Sequence, residues 1–364
     1  MKPSDTHHPS YRLPAEWEPQ SGVQLTWPHA QTDWAPYLDA IVETYVQLAE
    51  IISRYEPLLI AAQAPDGVRA LLPERTPHPI TVVPCRNDDT WARDHAFLTL
   101  TADAGKARLL DFHFNGWGDK FPAQQDNALN RHLYDQRLFN ADYEAHLDFV
   151  LEGGSIESDG EGTIYTTSQC LLAPHRNQPL TQQQVEAELK RRLHAERIVW
   201  LDHGNLIGDD TDGHIDTIVR CAPARTLLYI YTDDPTDPHY EDLQALHRQL
   251  TALSHADAEH PLRLLPLPLP RPIYDGDDRL PATYANFLIL NGAVVVPTYA
   301  QPDLDRQACE TIQRAFPHRD IIPLDSRTII RQHGSIHCIT MQYPQGVFAP
   351  NALPQHPSLK PSKN

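Results

Sequence analysis

Residues 204–217 read Gly-Asn-Leu-Ile-Gly-Asp-Asp-Thr-Asp-Gly-His-Ile-Asp-Thr, with four carboxylates and one imidazole inside eight residues. Like charges this close disfavour one another's ionised form, so the cluster needs water around it or a cation among the carboxylates. Asp and Gly are common in turns, and a solvated turn is the simplest interpretation of residues 209–213 alone. If the chain is extended at His214-Ile215-Asp216, alternation places the imidazole and the last carboxylate on one face. We then expect both groups to enter the same space, beside either a metal or an organic cation.

The composition indicates an acidic protein whose partners are small cations rather than polyanions. The chain has 364 residues, 41% of them hydrophobic, and a formal net charge of −18 at pH 7. This charge argues against nucleic acid and anionic membranes as partners, and it favours cationic small molecules. No apolar run is long enough to span a bilayer, and residues 1–8 contain no signal-peptide core, so we expect a cytoplasmic protein.

The cysteines are odd in number, widely spaced and free of any Cys-x-x-Cys motif. They are Cys85, Cys170, Cys221, Cys309 and Cys338. This pattern predicts reduced thiols in a cytosolic protein and disfavours a structural zinc site. A lone cysteine is usually an inert buried side chain. The two candidates for a larger role are Cys85, which precedes an arginine, and Cys338, which follows a glycine-containing turn at the start of an apolar run.

Hydrophobic periodicity predicts helices that each lead into a strand, and this pair recurs five times at irregular spacing. Thr181 is the predicted N-cap of the third helix. The predicted pairs are 37–55 with 57–62, 126–139 with 147–151, 181–194 with 197–201, 239–254 with 262–265, and 303–316 with 320–323. No glycine-rich phosphate loop accompanies these pairs. They therefore predict a closed, repeated α/β architecture rather than a Rossmann sheet.

No clear linker divides the chain, so residues 10–348 are predicted to form a single domain. The proline-rich stretch 261–281 carries strand-like alternation, and we expect a strand running into a long loop near the acidic cluster. An interdomain connector is the alternative interpretation of that stretch. Residues 349–364 contain four prolines and few apolar side chains, which predicts a poorly ordered tail.

Four further stretches place unusual side chains close to predicted strands. In residues 87–94 acidic side chains flank a tryptophan, which suits a flat cation; a salt-bridged turn is the alternative. Residues 112–118 set aromatic side chains between glycines and fit either a packing corner or a ligand wall. Glu152 follows an apolar strand and precedes two glycines, at the kind of strand end where ligands bind. The fourth stretch, 334–341, carries the last cysteine.

These stretches contain short motifs that occur in a fixed order. They are Trp91-Ala92-Arg93-Asp94, Leu151-Glu152-Gly153-Gly154-Ser155, Gly208-Asp209-Asp210-Thr211-Asp212-Gly213-His214-Ile215-Asp216 and Ile336-His337-Cys338-Ile339-Thr340, with Pro14-Ala15-Glu16-Trp17-Glu18, Thr26-Trp27-Pro28 and Tyr284-Ala285-Asn286-Phe287 as further signatures. Together they resemble the agmatine deiminases, within the bacterial-type peptidylarginine deiminase family of the guanidino-group-modifying superfamily. The resemblance covers nearly the whole chain except its ends.

The resemblance implies a pentein fold, which is a five-bladed α/β propeller of pseudo-fivefold repeated units, for the domain over residues 10–348. It implies a hydrolase that converts agmatine to N-carbamoylputrescine and ammonia through a covalent cysteine thiouronium intermediate. It implies no metal and no organic cofactor. It also implies a homo-oligomer, with a dimer as the simplest form.

The resemblance further assigns roles to individual side chains. The catalytic candidates are Cys338, His214, Asp94 and Asp216, and the substrate-binding candidates are Trp91, Glu152 and Asp210. Cys338 would be the nucleophile and His214 the general acid/base. The carboxylates would hold the guanidinium, since each charged hydrogen bond contributes about 1.5–3 kcal/mol. A free cysteine has a pKa of about 8.5, so we expect the bound guanidinium itself to favour the thiolate.

Other functions stay open at the level of sequence. The same cysteine and histidine chemistry would serve a deiminase of arginine or peptidyl-arginine, or an amidinotransferase. The acidic cluster and His214 could instead bind a divalent metal in a metallohydrolase. A cation-binding protein without turnover would fit the same charges. The net acidity of the chain suits a dication better than a zwitterionic amino acid.

Overall fold

Short strands and helices make up residues 10–350, the part of the chain that the computed structural model describes. The predicted tail is residues 349–364, and its residues from 351 onward lie outside the described part of the chain. The strands are β1 (Gln20–Thr26), β2 (Leu58–Ala62), β3 (Ile80–Pro84), β4 (Leu98–Ala102), β5 (Lys106–His113), β6 (Asp142–Val150), β7 (Ile156–Ser158), β8 (Thr163–Thr167), β9 (Arg197–Leu201), β10 (Val219–Ala222), β11 (Thr226–Tyr231), β12 (Arg263–Pro268), β13 (Tyr274–Asp275), β14 (Asp278–Arg279), β15 (Leu288–Ile289), β16 (Ala293–Thr298), β17 (Asp320–Asp325) and β18 (Thr340–Pro344). The helices are α1 (Leu38–Tyr55), α2 (Pro65–Leu71), α3 (Ala92–His95), α4 (Gly116–Asp119), α5 (Gln124–Asp135), α6 (Ser168–Leu171), α7 (Gln182–Leu193), α8 (Tyr240–Ala256) and α9 (Pro302–Ala315).

Five sheets share one pairing pattern, in which an antiparallel pair is followed by a parallel pair. Four of them are built from consecutive strands, in the orders β4–β5–β6, β7–β8–β9, β10–β11–β12 and β15–β16–β17. The remaining sheet, β18–β1–β2–β3, draws on both ends of the chain, because β18 pairs antiparallel with β1 and β1 pairs parallel with β2. The fold is thus a mixed α/β fold built from a repeated unit.

The parallel pairs explain why the predicted helix–strand pairs recur. Adjacent parallel strands need a crossover connection, and a helix usually supplies it. Here α1, α5, α7, α8 and α9 each connect the two strands of one parallel pair. The five predicted pairs are therefore confirmed as elements, with boundaries displaced by a few residues.

Two helix ends illustrate how local chemistry sets those boundaries. Thr181 caps α7 as predicted: its hydroxyl accepts the Gln184 N–H, and the Gln184 side chain accepts the Thr181 N–H. The helix predicted over 126–139 ends earlier, at Asp135. Arg137 has a φ of 59°, so the chain has already left the right-handed helical region there.

The proline-rich stretch runs past the acidic loop, as predicted. It forms β12 and then the exposed hairpin of β13 and β14. Its backbone passes so near the loop that a Cβ on Gly208 would lie 2.3 Å from the carbonyl oxygen of Arg279. Gly208 has a φ of 92°, so both sterics and backbone conformation require glycine there.

The apolar faces of these elements form buried clusters beneath the sheets. One cluster contains Trp34, Trp91 and Trp117 and extends to Cys338. Aromatic packing therefore supports the region that the sequence motifs single out. None of the helices within residues 10–350 is both long enough and apolar enough to cross a membrane.

Candidate active site

The candidate active site collects one short segment from each of the five sheets. Each segment immediately precedes the strand that opens its sheet's antiparallel pair, namely β4, β7, β10, β15 or β18. The residues at these positions are Asp94, Glu152, the His214–Asp216 segment, Asn286 and Cys338. Because the five units repeat one pairing pattern, the same position in each unit supplies a different functional group.

Three of the predicted side chains surround Gly154. A Cβ built on this glycine would lie 2.6 Å from Nδ1 of His214, 2.8 Å from Oδ1 of Asp94 and 3.2 Å from Oδ2 of Asp216. Any larger residue would displace one of these groups, so the glycine permits their convergence. Nδ1 of His214 and Oδ1 of Asp94 are 3.7 Å apart.

The backbone is not extended through His214–Asp216, which was the condition for alternation to place both side chains on one face. Residues Ile215–Thr217 form a turn of 3-10 helix, which begins directly after His214. Strand alternation therefore does not place the two side chains on one face. They converge because both point towards Gly154, at the start of a tight turn that the backbone carbonyl of His214 helps to close.

Asp94 is buried and is held by two donors. The backbone N–H of Gly154 donates to Oδ1 at 3.0 Å, and the indole Nε1 of Trp117 donates to Oδ2 at 2.9 Å. Burial is the largest influence and, with the neighbouring carboxylates of Asp216 and Glu152, raises the pKa of Asp94 to about 6. The nearby His214 acts in the opposite direction.

His214 is fully buried, and neither ring nitrogen has a hydrogen-bond partner among the described residues. Burial opposes protonation of the imidazole. Asp94, then the neighbouring Cys170 and Glu152, outweigh burial and hold the pKa of His214 well above its usual value. The raised pKa favours the protonated ring, which is the form that the general acid role implied by the resemblance would need.

Cys338 lies beside Asp216 at the end of the turn that precedes β18. Its Sγ donates towards Oδ1 of Asn286 at 3.4 Å and lies 3.7 Å from Oδ2 of Asp216. Burial, followed by the carboxylates of Asp216 and Asp94, raises the pKa of Cys338 well above its ordinary value. The thiol is consequently neutral in the free protein, and a cation is needed to favour the thiolate.

A chain of buried polar groups fixes Asp216 and the turn carrying Cys338. Nδ1 of His337 bonds Oδ2 of Asp216 at 2.7 Å, and Nε2 of His337 bonds Oε1 of Glu16 at 2.8 Å. Burial opposes ionisation of Asp216, but the hydrogen bond from His337 holds its pKa below the usual value. The amide of Asn286 adds a second constraint, since its Oδ1 accepts the backbone N–H groups of His337 and Cys338.

Glu152 is buried beside His214, and it is also bound by a guanidinium of this chain. Nε of Arg176 donates to Oε1 of Glu152 at 2.7 Å, and both side chains are fully buried. Oε2 of Glu152 has no partner among the described residues. The predicted substrate-binding carboxylate thus has one oxygen occupied by Arg176 and one available.

The acidic loop divides its carboxylates between structural and cavity-facing positions. Asp209 closes the turn by accepting from Thr211 Oγ1 and the Gly213 N–H, each at 2.7 Å. Asp212 pairs with Arg176 at 2.7 Å and with Lys120 at 2.8 Å. The cations among these carboxylates are therefore side chains of the protein.

Asp210, by contrast, faces a cavity that also reaches Cys338. The cavity is lined by Asp33, Asp89, Trp91, Asp94, Trp117, Phe121, Asp210, Thr211, Gln332, His333, Gly334 and Cys338. Burial is the main cause that raises the pKa of Asp210 to about 6.

The indole of Trp91 packs so closely on Gly334 that a Cβ there would lie 2.1 Å from the ring. The aromatic stretch 112–118 is both packing corner and wall, because Trp117 lies in the core cluster and lines this cavity.

Two groups of side chains in the described part of the chain have the geometry to hold a metal ion. They are Glu152–Cys170–His214 and Glu16–Glu157–His337. Neither group includes a carboxylate of the 209–212 loop. The metal site expected for a metallohydrolase, built on that loop and His214, is therefore not the arrangement in the structure.

Comparison with known proteins identifies the family to which the chain belongs. A family model described as the Porphyromonas-type peptidyl-arginine deiminase matches residues 12–344. The chain belongs to this family. The match spans all five sheets and every segment that contributes to the site.

Individual relatives of this Porphyromonas-type peptidyl-arginine deiminase family member cover nearly its full length. Agmatine deiminase of Pseudomonas aeruginosa (strain LESB58) is 36% identical over 359 residues, which are 92% of this chain and 95% of the relative. A substrate-bound structure of a cysteine-to-serine variant of C. jejuni agmatine deiminase has a TM-score of 0.86 and 34% identity, over 92% of this chain and 97% of the other. The crystal structure of a candidate arginine deiminase from Porphyromonas gingivalis has a TM-score of 0.88 and 47% identity, over 93% and 100%.

The predicted site residues of this family member lie close together, but the sequence did not predict most of the side chains that support them. The structure brings Asp94, His214 and Asp216 together, sets Cys338 next to them, and places the remaining predicted side chains at the cavity or beside the imidazole. The supports missed as such are Glu16, Trp117, Arg176, Asn286 and His337. Four of these stood in stretches already noted, so membership of a motif was an available signal. For Arg176 the sequence offered none.

Proposed function

We propose that this protein is a hydrolase that deiminates agmatine to N-carbamoylputrescine and ammonia. One observation carries the proposal: a single cavity has Cys338 and the carboxylate of Asp94 at its buried end and further carboxylates towards its opening. That arrangement matches a molecule with a guanidinium at one end and an amine at the other. Relatives named agmatine deiminase, at 36% and 34% identity over 92% of this chain, support the same substrate.

The charges around the cavity favour a dication over an amino acid. Asp33, Asp89 and Asp210 line it, and none of its described lining residues is Lys or Arg. These carboxylates attract the amine of agmatine, whereas the α-carboxylate of free arginine would meet like charge. Lys120 lies nearby, but its ammonium already binds the Asp210 carbonyl oxygen and the Asp212 carboxylate.

The guanidinium binds between the carboxylates around Gly154. Asp94 and Asp216 accept its N–H groups, and the free oxygen of Glu152 provides a further acceptor. Each charged hydrogen bond contributes about 1.5–3 kcal/mol, and a paired set fixes the plane of the guanidinium. The indole of Trp91 lies along the methylene chain. Binding thereby brings the electrophilic carbon to the Cys338 sulfur.

The first half of the reaction forms a covalent intermediate. The bound cation favours loss of the Cys338 thiol proton to solvent, and the resulting thiolate attacks the central carbon and forms a C–S bond. His214, protonated in the free protein, donates its proton to the departing nitrogen. The C–N bond breaks, ammonia leaves, and a thiouronium-type adduct remains on the sulfur.

The second half returns the enzyme to its starting state. His214, now neutral, takes a proton from a water molecule as that water attacks the same carbon. The C–S bond breaks, the hydroxyl proton of the adduct passes to the departing sulfur and restores the thiol, and the ureido product is N-carbamoylputrescine. The cycle consumes one water and needs no redox partner.

A deiminase of arginine or peptidyl-arginine is the second candidate. The 47% identity to the P. gingivalis protein described as a candidate arginine deiminase favours it. The same cysteine, histidine and carboxylates would act on either guanidinium. The two functions differ only in what the opening of the cavity must recognise.

The deciding experiment compares turnover of agmatine, free arginine and a short arginyl peptide by the purified full chain, with ammonia and the ureido product measured for each. We expect agmatine to be strongly preferred and Cys338→Ala to abolish turnover. Cys309→Ala, at a partly exposed cysteine outside the site, is the matched control. Preference for arginine or the peptide would transfer the assignment to the second candidate, and normal turnover by Cys338→Ala would contradict the covalent mechanism.

A second set of variants tests the recognition of the amine. Asp210→Asn removes a carboxylate at the opening of the cavity while keeping its size. We expect kcat/KM for agmatine to fall more than kcat/KM for arginine. The preference of the protein for agmatine over arginine should therefore become smaller. Asp209→Asn is the control for the same loop, since Asp209 bonds within the turn. An equal effect of Asp210→Asn on both substrates would contradict amine recognition at Asp210.

Three predictions concern the larger organisation. The shared pairing pattern of the five sheets supports a closed five-bladed propeller, and residues 10–348 are taken as its single agmatine deiminase-like domain. A homodimer and a cytoplasmic location stay predictions from the sequence. Light scattering of the purified chain after size-exclusion chromatography measures the assembly, and a monomeric mass would contradict the dimer.

A further inference from the structure

Cys170 is a fully buried cysteine that the proposed reaction does not use. It lies in α6, whose N-cap Thr167 accepts the Cys170 N–H and donates its own hydroxyl proton to the Gly213 carbonyl at 2.6 Å. That second bond ties α6 to the loop immediately before His214. The thiol, the imidazole and the Glu152 carboxylate consequently face one another in the interior.

The ligand atoms of these three residues lie within 4.8 Å of one another. Ligands on a tetrahedral zinc ion, at 2.0–2.3 Å from the metal, are separated by roughly 3.3–3.8 Å. The three side chains would therefore have to contract only slightly around an ion. A carboxylate, a thiolate and an imidazole together form a mixed oxygen, sulfur and nitrogen set that suits Zn²⁺ and excludes Mg²⁺ or Ca²⁺.

Unpartnered buried atoms point to a ligand at this place. Oε2 of Glu152 and both ring nitrogens of His214 have no hydrogen-bond partner among the described residues, although both side chains are fully buried. The other three-residue group, Glu16–Glu157–His337, differs in this respect. Its atoms are already bonded, for example by Arg220 to both glutamates. Free ligand capacity therefore distinguishes the first group.

We propose that Glu152, Cys170 and His214 form an inhibitory binding site for Zn²⁺. The ion takes the free oxygen of Glu152 and leaves Oε1 on Arg176, so the buried ion pair persists. It displaces the thiol proton of Cys170 and occupies a ring nitrogen of His214. The inhibitory part rests on the proposed function, because the ion removes the general acid/base and repels the substrate guanidinium. The binding part stands independently of it.

The test of binding uses Co²⁺ as a spectroscopic probe on the full chain after chelator treatment. We expect one Co²⁺ per chain, a thiolate-to-cobalt charge-transfer absorption in the near ultraviolet, and loss of that absorption on addition of Zn²⁺. Cys170→Ala should lose the absorption. Cys338→Ala and Cys221→Ala, which remove the nucleophile and another buried cysteine, should keep it.

Two further measurements make the outcome decisive. If Cys170→Ala fails to fold, His214→Ala serves instead and should weaken Co²⁺ binding by roughly tenfold or more, since even residues that only support a ligand contribute about that much. Zn²⁺ inhibition of agmatine turnover, relative to each variant's own rate, should require much more metal in Cys170→Ser than in the wild type.

Three results would overturn the site: no charge-transfer absorption in the wild type, its persistence in Cys170→Ala, or its loss in Cys338→Ala. The last would place the metal on the nucleophile. If the protein fails to turn over agmatine but binds Co²⁺ through Cys170, the proposed function fails and the metal site stands.

Discussion

At the scale of single residues, the protonation states of the free protein dictate how the site must be activated. Burial and the carboxylates of Asp216 and Asp94 raise the pKa of Cys338, and Asp94 and its neighbours raise that of His214, so a proton is favoured on both groups. In the proposed mechanism, the free protein therefore holds Cys338 in its less reactive thiol form. A bound guanidinium would reverse this balance by neutralising Asp94 and Asp216. Substrate binding and activation of Cys338 would then be one event.

This coupling predicts a charge-selective reactivity of Cys338. Neutral iodoacetamide should alkylate it slowly at pH 7 and faster as the pH rises towards the raised pKa of the thiol. Cationic 2-chloroacetamidine should react faster at pH 7, since its amidinium takes the place of the substrate guanidinium. Mass spectrometry of the peptide containing Cys338 measures both rates, each divided by the rate with free glutathione. Equal normalised rates would mean that charge does not activate the thiol.

The pKa of Asp94 predicts the acid limb of kcat/KM. A carboxylate must be ionised to bind a guanidinium, so activity should fall as the pH drops through about 6. The indole N–H of Trp117 favours the ionised form, and its removal raises the pKa further. We therefore expect Trp117→Phe to move the acid limb to higher pH. In the control Trp200→Phe, which removes a bond to Glu186, the limb should stay in place. If the acid limb stays in place in both variants, the titration of Asp94 does not cause it.

At the scale of elements, the sequence predicted the helices and strands but not the side-chain contacts that join distant elements. The helix–strand pairs follow from periodicity, which depends only on neighbours in the chain, and Thr181 caps its helix through a residue three positions away. The partnerships of Arg176 with Glu152 and of Glu16 with His337 join distant segments. No local pattern encodes which basic side chain a carboxylate meets. The extended backbone considered for His214–Asp216 is also not found, because the carbonyl of His214 accepts from the N–H and the hydroxyl of Thr217 and closes a turn there.

The prediction at the scale of elements concerns Arg176, because this side chain binds the acidic loop to the segment after β6. Arg176→Ala leaves Glu152 buried without its partner and leaves Asp212 paired with Lys120 alone. Loss of one partner of a buried ion pair costs about 3–5 kcal/mol, so we expect a fall of that size in the free energy of unfolding. Urea unfolding monitored by tryptophan fluorescence measures it.

The matched control for Arg176 is Arg191→Ala. Arg191 pairs with Glu188 at the exposed surface of α7, where an ion pair contributes about 0–1 kcal/mol. Arg176→Lys should recover only part of the loss, because a single ammonium cannot reproduce the contacts of the guanidinium with Glu152, Asp212 and the Thr211 carbonyl. A small effect of Arg176→Ala, equal to that of Arg191→Ala, would show that the loop is held by other contacts.

At the scale of the whole molecule, the two ends of the described chain meet at the site. β18 follows Cys338 directly and pairs with β1, which follows the segment containing Glu16. Glu16 accepts from Arg93, Arg220 and His337, which belong to three different sheet units. One carboxylate near the start of the chain thus joins groups that are far apart in sequence.

Glu16→Gln tests this role with a side chain of the same size. Burial opposes ionisation of Glu16, but the charges of His337, Arg93 and Arg220 hold its pKa well below the usual value. A lowered carboxyl pKa gives stability that is fully present above the unfolded pKa of about 4.3 and is lost as the pH falls through the folded pKa. The loss on substitution should therefore already be present at pH 6 and should not grow towards pH 8.

The size of the loss in the free energy of unfolding distinguishes a buried network of ion pairs at Glu16 from an exposed ion pair. Glu16 is partly accessible, so we expect about 3 kcal/mol, at the lower end for a broken buried pair. Glu18→Gln is the neighbouring control, since Glu18 pairs with the half-exposed Arg12 and should contribute about 1 kcal/mol or less. Urea unfolding at both pH values measures the two variants. Equal losses for Glu16 and Glu18 would refute the network, and a loss at Glu16 that grows from pH 6 to pH 8 would assign the stability to a different titrating group.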